Sequence, residues 1–201
     1  FESKDILGSG RYGQVDRVLS LVSYKEYAWK RIHRGLPFGH TWTRETGVAY
    51  IKEISILKNL RHKHAVQLTG TYTDSSYFCF IMSPVADMNL STYLSESPIP
   101  TSLAKKATLQ TFFGCLACAV RYLHDKKVRH RDIKPQNILV KGTNILLTDF
   151  GISKEYDEIQ SATSGPATFS SRYCAPEVFL QASRDWSSDI WSLGCVILEI
   201  I

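Results

Sequence analysis

The segment His130-Arg131-Asp132-Ile133-Lys134-Pro135-Gln136-Asn137 holds the densest set of chemically useful side chains in the chain. Asp132 can take the proton of a hydroxyl group. Lys134 can neutralise charge on a phosphoryl group in transit, and Asn137 can offer a carbonyl oxygen to a metal ion. Five fixed positions (His, Arg, Asp, Lys, Asn) at this spacing arise by chance at roughly one start in three million, taking about 5% per residue type. A polar turn after a helix is the bland alternative, and the spacing argues against it. Asp149-Phe150-Gly151 follows a short apolar run. A carboxylate beside a glycine turn is a hard oxygen donor suited to Mg²⁺, which also draws on phosphate oxygens. By itself such a tripeptide is an ordinary strand-ending turn; downstream of Asp132 it reads as a second metal ligand.

Nearer the N-terminus, Gly8-Ser9-Gly10-Arg11-Tyr12-Gly13-Gln14-Val15 is a G-x-G-x-x-G-x-V turn. Glycines let the backbone approach phosphate oxygens because no Cβ intervenes. A dinucleotide-binding turn shares the spacing, but it opens a helix and needs an acidic residue about 20 positions later. Here a strand pattern follows. Lys30 in Ala28-Trp29-Lys30 and Glu53 in 51–57 are each ordinary alone, as a solvated strand lysine and an exposed helix glutamate. Jointly they read as an ammonium group held toward phosphates by a carboxylate.

Elements must hold these groups. Residues 1–32 read as strand, glycine turn, strand, strand, with strand patterns at 6–7, 14–20 and 27–32. The polar stretch 33–46 reads as loop. Val48, Ile51, Ile54, Leu57 and Leu60 recur at helical spacing. Two strands, 66–72 and 78–82, join through a turn at Asp74-Ser75-Ser76. After Pro84 the character changes. A short helix at 90–94 precedes a long amphipathic helix over about 103–124, with Leu109, Phe112, Phe113, Leu116, Ala119, Val120 and Leu123 as its buried face. A short hairpin spans 138–140 and 145–148. The Ser/Thr/Gly-rich stretch 153–171 reads as a mobile loop, and a last helix starts near Ser188. A strand-rich first domain (1–84) with one helix therefore precedes a helix-rich second domain (85–201), and a ligand lodged between two such domains is the expectation.

Composition bounds the rest. The 201 residues are 44% hydrophobic and 21% charged, an ordinary globular balance with no run long enough for a membrane span. The net charge of +5 is scattered, with small clusters at 61–64 and 126–131, so nucleic-acid binding is not expected. The five cysteines are odd in number and irregular in spacing, which favours a reducing compartment. Cys115-x-x-Cys118 lacks a second ligand pair and reads as helix core. The chain opens on Phe1 and closes inside an apolar pattern, which reads as a piece of a longer protein.

In this order and spacing, the motifs resemble those of the eukaryotic protein kinases, over essentially the whole chain. The resemblance implies an α+β, two-lobed protein kinase-like fold. A small antiparallel-sheet N-lobe with one helix would be joined to a mainly helical C-lobe, incomplete at its C-terminus. It implies ATP-dependent phosphorylation of Ser/Thr hydroxyls on protein substrates, with ATP and Mg²⁺ as cofactors. Lys30 matches the lysine of the α/β-phosphates and Glu53 its ion-pair partner. Asp132 matches the catalytic base, with Lys134 beside it, and Asn137 and Asp149 match the Mg²⁺ ligands. Leu7, Gly8, Gly10, Gly13, Val15, Ala28, Lys30, Met82, Ser83, Val85 and Leu139 match ATP-binding positions. Among these Met82 is the gatekeeper, the Ser83 carbonyl and Val85 amide face adenine, and Val15, Ala28 and Leu139 enclose its ring. Leu57, Leu68, His130 and Phe150 match a hydrophobic stack anchored on a buried Asp189.

Lys134 and Ser170 point to the Ser/Thr class; Ser170 stands where that class usually has Thr. Arg131 matches an arginine that pairs with a phosphorylated loop, with Ser164 and Thr168 ahead of Ser161 and Thr163 as acceptors, so an upstream kinase or regulatory partner is implied. Ala175-Pro176-Glu177 matches a peptide-substrate platform, which disfavours a small-molecule kinase. A pseudokinase scaffold or an inactive fragment is the alternative. The implied location is intracellular, cytoplasm or nucleus. Pro84 departs from the pattern by removing a backbone donor where adenine would bind. Glu177 is expected to pair with an arginine beyond Ile201, so the 201 residues alone are expected to be marginally stable or inactive.

Overall fold

The computed structural model describes residues 1–10, 13–34, 51, 54–96, 103–150, 154–155, 172–182 and 185–201. Glu53, Gly151, Ser161, Thr163, Ser164, Thr168 and Ser170, the expected loop at 153–171 apart from residues 154–155, and most of the expected loop at 33–46 lie outside the described residues. The chain divides into two compact units: Phe1–Arg61 with Val66–Val85, and His62–Ala65 with Ala86–Ile201.

The first unit is built on a five-stranded sheet. Its strands are β1 (Glu2–Gly10), β2 (Gly13–Leu19), β3 (Glu26–His33), β4 (Gln67–Thr73) and β5 (Tyr77–Ser83), in the order β1-β2-β3-β5-β4. Every pairing is antiparallel. Asp74 makes the β4–β5 turn by accepting from the Ser76 and Tyr77 amides with its own side chain, the habit that suits Asp to turns. Directly opposed residues share a face, so Val15, Lys30 and Phe80 lie together across β2, β3 and β5, and Ala28 lies opposite Met82. A helix, α1 (54–59), follows β3 in the chain. Its buried residues are Ile56 and Leu57, followed by Leu60, while Ile51 is exposed. The helical period is present, but the buried stripe is rotated from the expected 48/51/54/57/60 row.

The second unit opens with β6 (Met88–Asn89) and α2 (Leu90–Ser95). Asn89 caps α2, its side chain accepting from the Thr92 amide at 2.9 Å, as a short polar residue does at a helix start. The long helix α3 (Leu103–Asp125) buries Leu109, Phe112, Leu116, Ala119, Val120 and Leu123. Phe113, expected in that stripe, is half-buried. Cys118 is exposed and Cys115 half-buried, so this pair is not core; all five cysteines are free thiols. Next come β7 (Val128–Arg129), a 3-10 turn (Pro135–Asn137), β8 (Ile138–Lys141) and β9 (Asn144–Leu147). Strand β10 (Lys154–Glu155) pairs with β7. The last helices are α4 (Pro176–Phe179) and α5 (Ser187–Ile200), the latter burying Leu193, Val196 and Ile200. The α+β class expected from the sequence holds, and no helix among the described residues is long and apolar enough to cross a membrane.

Candidate active site

The 130–137 segment is anchored by buried side chains at His130, Ile133, Pro135 and Asn137. Ile133 is 1% exposed and Lys134 is fully extended, with φ −160° and ψ 160°. In extended chain, alternate side chains point the same way, so Asp132 and Lys134 emerge together. Lys134 Nζ lies 2.6 Å from Asp132 Oδ2. Pro135, with its φ preset and no N–H to satisfy, starts the 3-10 turn. That turn brings Asn137 back toward Asp132. Its Nδ2 donates to the Asp132 backbone carbonyl at 2.9 Å and to Asp132 Oδ2 at 2.8 Å. The amide nitrogen is thereby committed, and Oδ1 is the end of Asn137 left to act as a hard oxygen donor.

The backbone under this segment is held from outside it. Asp189, in the first turn of α5, is 2% exposed. Its Oδ2 accepts from the His130 amide at 2.9 Å, and its Oδ1 from the Arg131 amide at 2.8 Å. His124, in the last turn of α3, adds its Nε2 to Asp189 Oδ2 at 2.9 Å. Burial by itself raises the Asp189 pKa. The hydrogen bond from His124, the field of His130 and the two amides outweigh it, and the net shift is downward. Arg131 is consequently fixed at φ 72°, a left-handed conformation that costs a non-glycine residue about 1–3 kcal/mol and persists only where the surroundings impose it.

Asp149 is brought to the same segment through Thr148. The Thr148 amide donates to the Asn137 carbonyl at 3.1 Å. The buried His130 ring binds the Thr148 carbonyl through Nε2 at 2.9 Å and faces the Asp132 amide with Nδ1 at 3.3 Å. A carbonyl only accepts and a backbone amide only donates, so His130 carries its proton on Nε2. The His130 and Phe150 rings are 5.1 Å apart. Asp149 follows with φ 63°, left-handed like Arg131. Asn137 and Asp149 are chemically suited to Mg²⁺, which accepts a few protein oxygens and completes its shell with phosphate and water. The described residues contain no group of three or more His, Cys, Asp or Glu side chains that would form a self-sufficient metal cage.

In the first unit, Lys30 lies opposite Val15 and Phe80, with its Nζ 5.6 Å from the Phe80 ring centre. Leu7, Gly8 and Gly10 lie on β1 and Gly13 opens β2, with Gly10 paired to Gly13 across the turn. Gly13 has φ +136°, and a Cβ built there would lie 1.9 Å from the Arg31 carbonyl oxygen. That close backbone approach is why glycine is required at this position. Met82 ends the buried run of β5, Ser83 is half-buried, and Val85 is buried. Leu139 is half-buried on β8, opposite Leu146.

Sequence reasoning anticipated the Asp189 anchor but missed His124 as its partner, 65 positions away. It also missed the ties of the 172–174 segment to α5. The Tyr173 hydroxyl donates to Glu199 at 3.0 Å, Arg172 pairs with Glu199 at 2.8 Å, and Ser192 Oγ donates to the Tyr173 carbonyl at 2.7 Å. Glu177 accepts from Ser188 Oγ at 3.0 Å.

The chain is 32% identical over 203 residues to the mitogen-activated protein kinase kinase kinase ANP1 of Arabidopsis thaliana, covering 98% of this chain and 29% of that protein. It is 33% identical over 210 residues to a cyclin-dependent kinase 4 homolog of Caenorhabditis elegans, covering 96% of this chain and 48% of that one. It is 32% identical over 200 residues to the cell division control protein 7 of Schizosaccharomyces pombe, covering 98% and 18%. The chain thus spans less than half the length of these three relatives. The protein kinase domain family matches residues 1–201, and the chain belongs to that family.

Proposed function

We propose that this chain is the catalytic part of a protein serine/threonine kinase, transferring the γ-phosphoryl group of ATP to Ser or Thr hydroxyls of protein substrates. The observation that carries the reading is the Asp132–Lys134–Asn137 group, joined by bonds of 2.6 and 2.8 Å. Asp132 Oδ2 is oriented by two donors, so the carboxylate is held ready to take the proton of an incoming hydroxyl as its oxygen attacks phosphorus. Lys134 would offset charge on the moving phosphoryl group. Phosphoryl transfer asks a protein for little beyond such positioning and charge stabilisation.

Asn137 Oδ1 and the Asp149 carboxylate would hold Mg²⁺, which when bound supplies positive charge to the phosphate oxygens. Lys30, steered by Glu53, would orient the α- and β-phosphates, and the glycines at 8, 10 and 13 would admit phosphate close to the backbone. Val15, Ala28, Leu139 and Leu7 would enclose adenine, while Met82, Ser83 and Val85 would bound and hydrogen-bond it. Arg131 would receive a phosphate on Ser164 or Thr168, placed there by an upstream kinase, and Ser170 would steady Asp132 and Lys134. The free thiols fit an intracellular compartment.

The test is transfer of labelled γ-phosphate to a peptide array by the full-length protein and by its Asp132→Asn variant. The expected outcome is label on Ser and Thr only, with kcat about 10²–10⁴-fold lower in the variant, the usual contribution of a general base. Transfer that survives this substitution unchanged would refute the assignment.

A further inference from the structure

The face of the sheet opposite Val15 and Lys30 carries a polar–aromatic layer that the proposed chemistry does not use. Asp16 is 1% exposed. Its Oδ2 accepts from Arg31 Nη2 and its Oδ1 from Gln14 Nε2, both at 2.5 Å. The Arg31 guanidinium lies 4.5 Å from the Trp29 ring centre and 5.5 Å from that of Tyr77. Trp29 is in turn stacked on Tyr72 at 6.4 Å. A continuous band therefore crosses β4, β3 and β5 and ends on β2.

A carboxylate taken out of water is costly to keep even when paired, and an apolar residue would fill the same strand position more cheaply. What the ion pair adds is direction. A planar guanidinium lying over aromatic rings and bonded through one nitrogen to a carboxylate whose other oxygen is held by Gln14 resists sliding of one strand along the other. The place where this resistance acts is specific. Gln14 lies opposite Arg31, and Asp16 opposite Trp29. Gly13 is packed so closely on the Arg31 carbonyl that no Cβ fits. The strand leaving the glycine turn is thus held at Arg31 twice, by backbone at Gly13 and by side chain at Asp16. Val15, between these two points, lies on the face of Lys30.

We propose that Asp16 and Arg31 are a positioning pair for nucleotide binding, fixing β2 where it leaves the glycine turn. The pair touches no phosphate; it acts through Gly13 and Val15. This inference rests on the nucleotide reading of that turn.

The test is steady-state kinetics on the full-length protein with Asp16→Asn, Arg31→Gln and the double variant, together with thermal melting. The expected result is a five- to tenfold rise in KM for Mg-ATP in each single variant, with kcat and the peptide KM within about twofold. The double variant is expected to be no worse than the poorer single one, because the two residues act as one unit. Arg31→Lys keeps the charge but loses the planar stacking on Trp29 and Tyr77, and is expected to recover less than half of the loss. An ATP KM within twofold of the parent in Arg31→Gln would overturn the proposal, whatever happens to the melting temperature. So would an equal rise in both KM values, which marks general loosening. If Asp16→Asn does not fold, the Arg31 variants decide alone: Arg31 is 25% exposed, and Arg31→Lys keeps a cation beside the buried Asp16 carboxylate, which Arg31→Gln leaves to Gln14. If Mg-ATP neither raises the melting temperature of the unmodified protein nor supports transfer, the nucleotide reading itself fails and this inference with it.

Discussion

Asp132, the proposed catalytic base, is one of three carboxylates that differ in what surrounds them. Asp132 is oriented by a lysine and an amide, Asp149 stands on a left-handed backbone, and Asp189 is nearly sealed from solvent. Of the three, Asp189 bears most on stability, because its oxygens satisfy two backbone amides that have turned away from any ladder. Asp189→Ala removes that acceptor and leaves the His130 and Arg131 amides buried without it. Breaking a buried network of this kind costs about 3–5 kcal/mol. Urea denaturation of the full-length protein should show a loss of that size. An unchanged midpoint would mean that the Arg131 conformation is held by something else. The motif at 130–137 was legible because its members are contiguous and need only local backbone geometry to meet. The His124–Asp189 bond was not, because nothing local marks a helix-ending histidine as the partner of a residue on another helix.

At the scale of elements, residues 62–65 follow α1 and precede β4, yet they belong to the second unit. The Leu147 amide donates to the His64 carbonyl at 2.9 Å, and Ala65 bridges to Leu147. The His64 ring donates through Nδ1 to the Ile145 carbonyl at 3.0 Å. His62 stacks on Tyr122 of α3 at 4.8 Å and accepts the His64 amide on its Nδ1 at 3.2 Å. That last bond requires an unprotonated Nδ1. Burial first, then His64 and Lys63, lower the His62 pKa below 6.5. A histidine depressed in the folded state favours the neutral form there. Its contribution is therefore complete above pH 6.5 and lost as pH falls through and below that value. Folding stability measured at pH 7.5 and 5.5 should fall more in the parent than in His62→Gln, which keeps an acceptor and does not titrate. Equal falls would contradict this account. Strand and helix positions here were readable from periodicity. The two-residue strands β7 and β10 were not, since two residues carry no period. The rotated stripe of α1 and the exposed Cys118 show the same limit: period indicates a helix, while its neighbours choose the buried face.

For the molecule as a whole, the distribution of exposed apolar surface is uneven. Exposed large apolar side chains fall mainly in two stretches of the chain, Phe1, Ile6, Leu21, Val22 and Tyr24 near its start and Phe179, Leu180, Trp191, Leu198 and Ile201 after α4 begins, all at least half exposed. Exposed apolar side chains are sticky in water where they adjoin, unless something covers them. The 201-residue chain taken alone is expected to bind a hydrophobic dye and to self-associate at micromolar concentration. Replacing Leu198 and Phe179 by lysine is expected to reduce both effects. Absence of dye binding by the unaltered chain would show that these side chains are covered in solution. The composition gave no hint of this, because overall hydrophobicity does not say where on the surface the apolar residues fall.

The linear order of residues was enough for the α+β class, for the longer strands and helices, and for the local Asp132–Lys134–Asn137 grouping, since each depends on neighbours within a few positions. Tertiary structure alone decided which buried polar groups meet: Asp189 with His124 and two amides, Asp16 with Arg31, His64 with Ile145. The reason is energetic. A polar atom removed from water must find a partner wherever the fold supplies one, and that partner's distance along the chain is not constrained by local geometry.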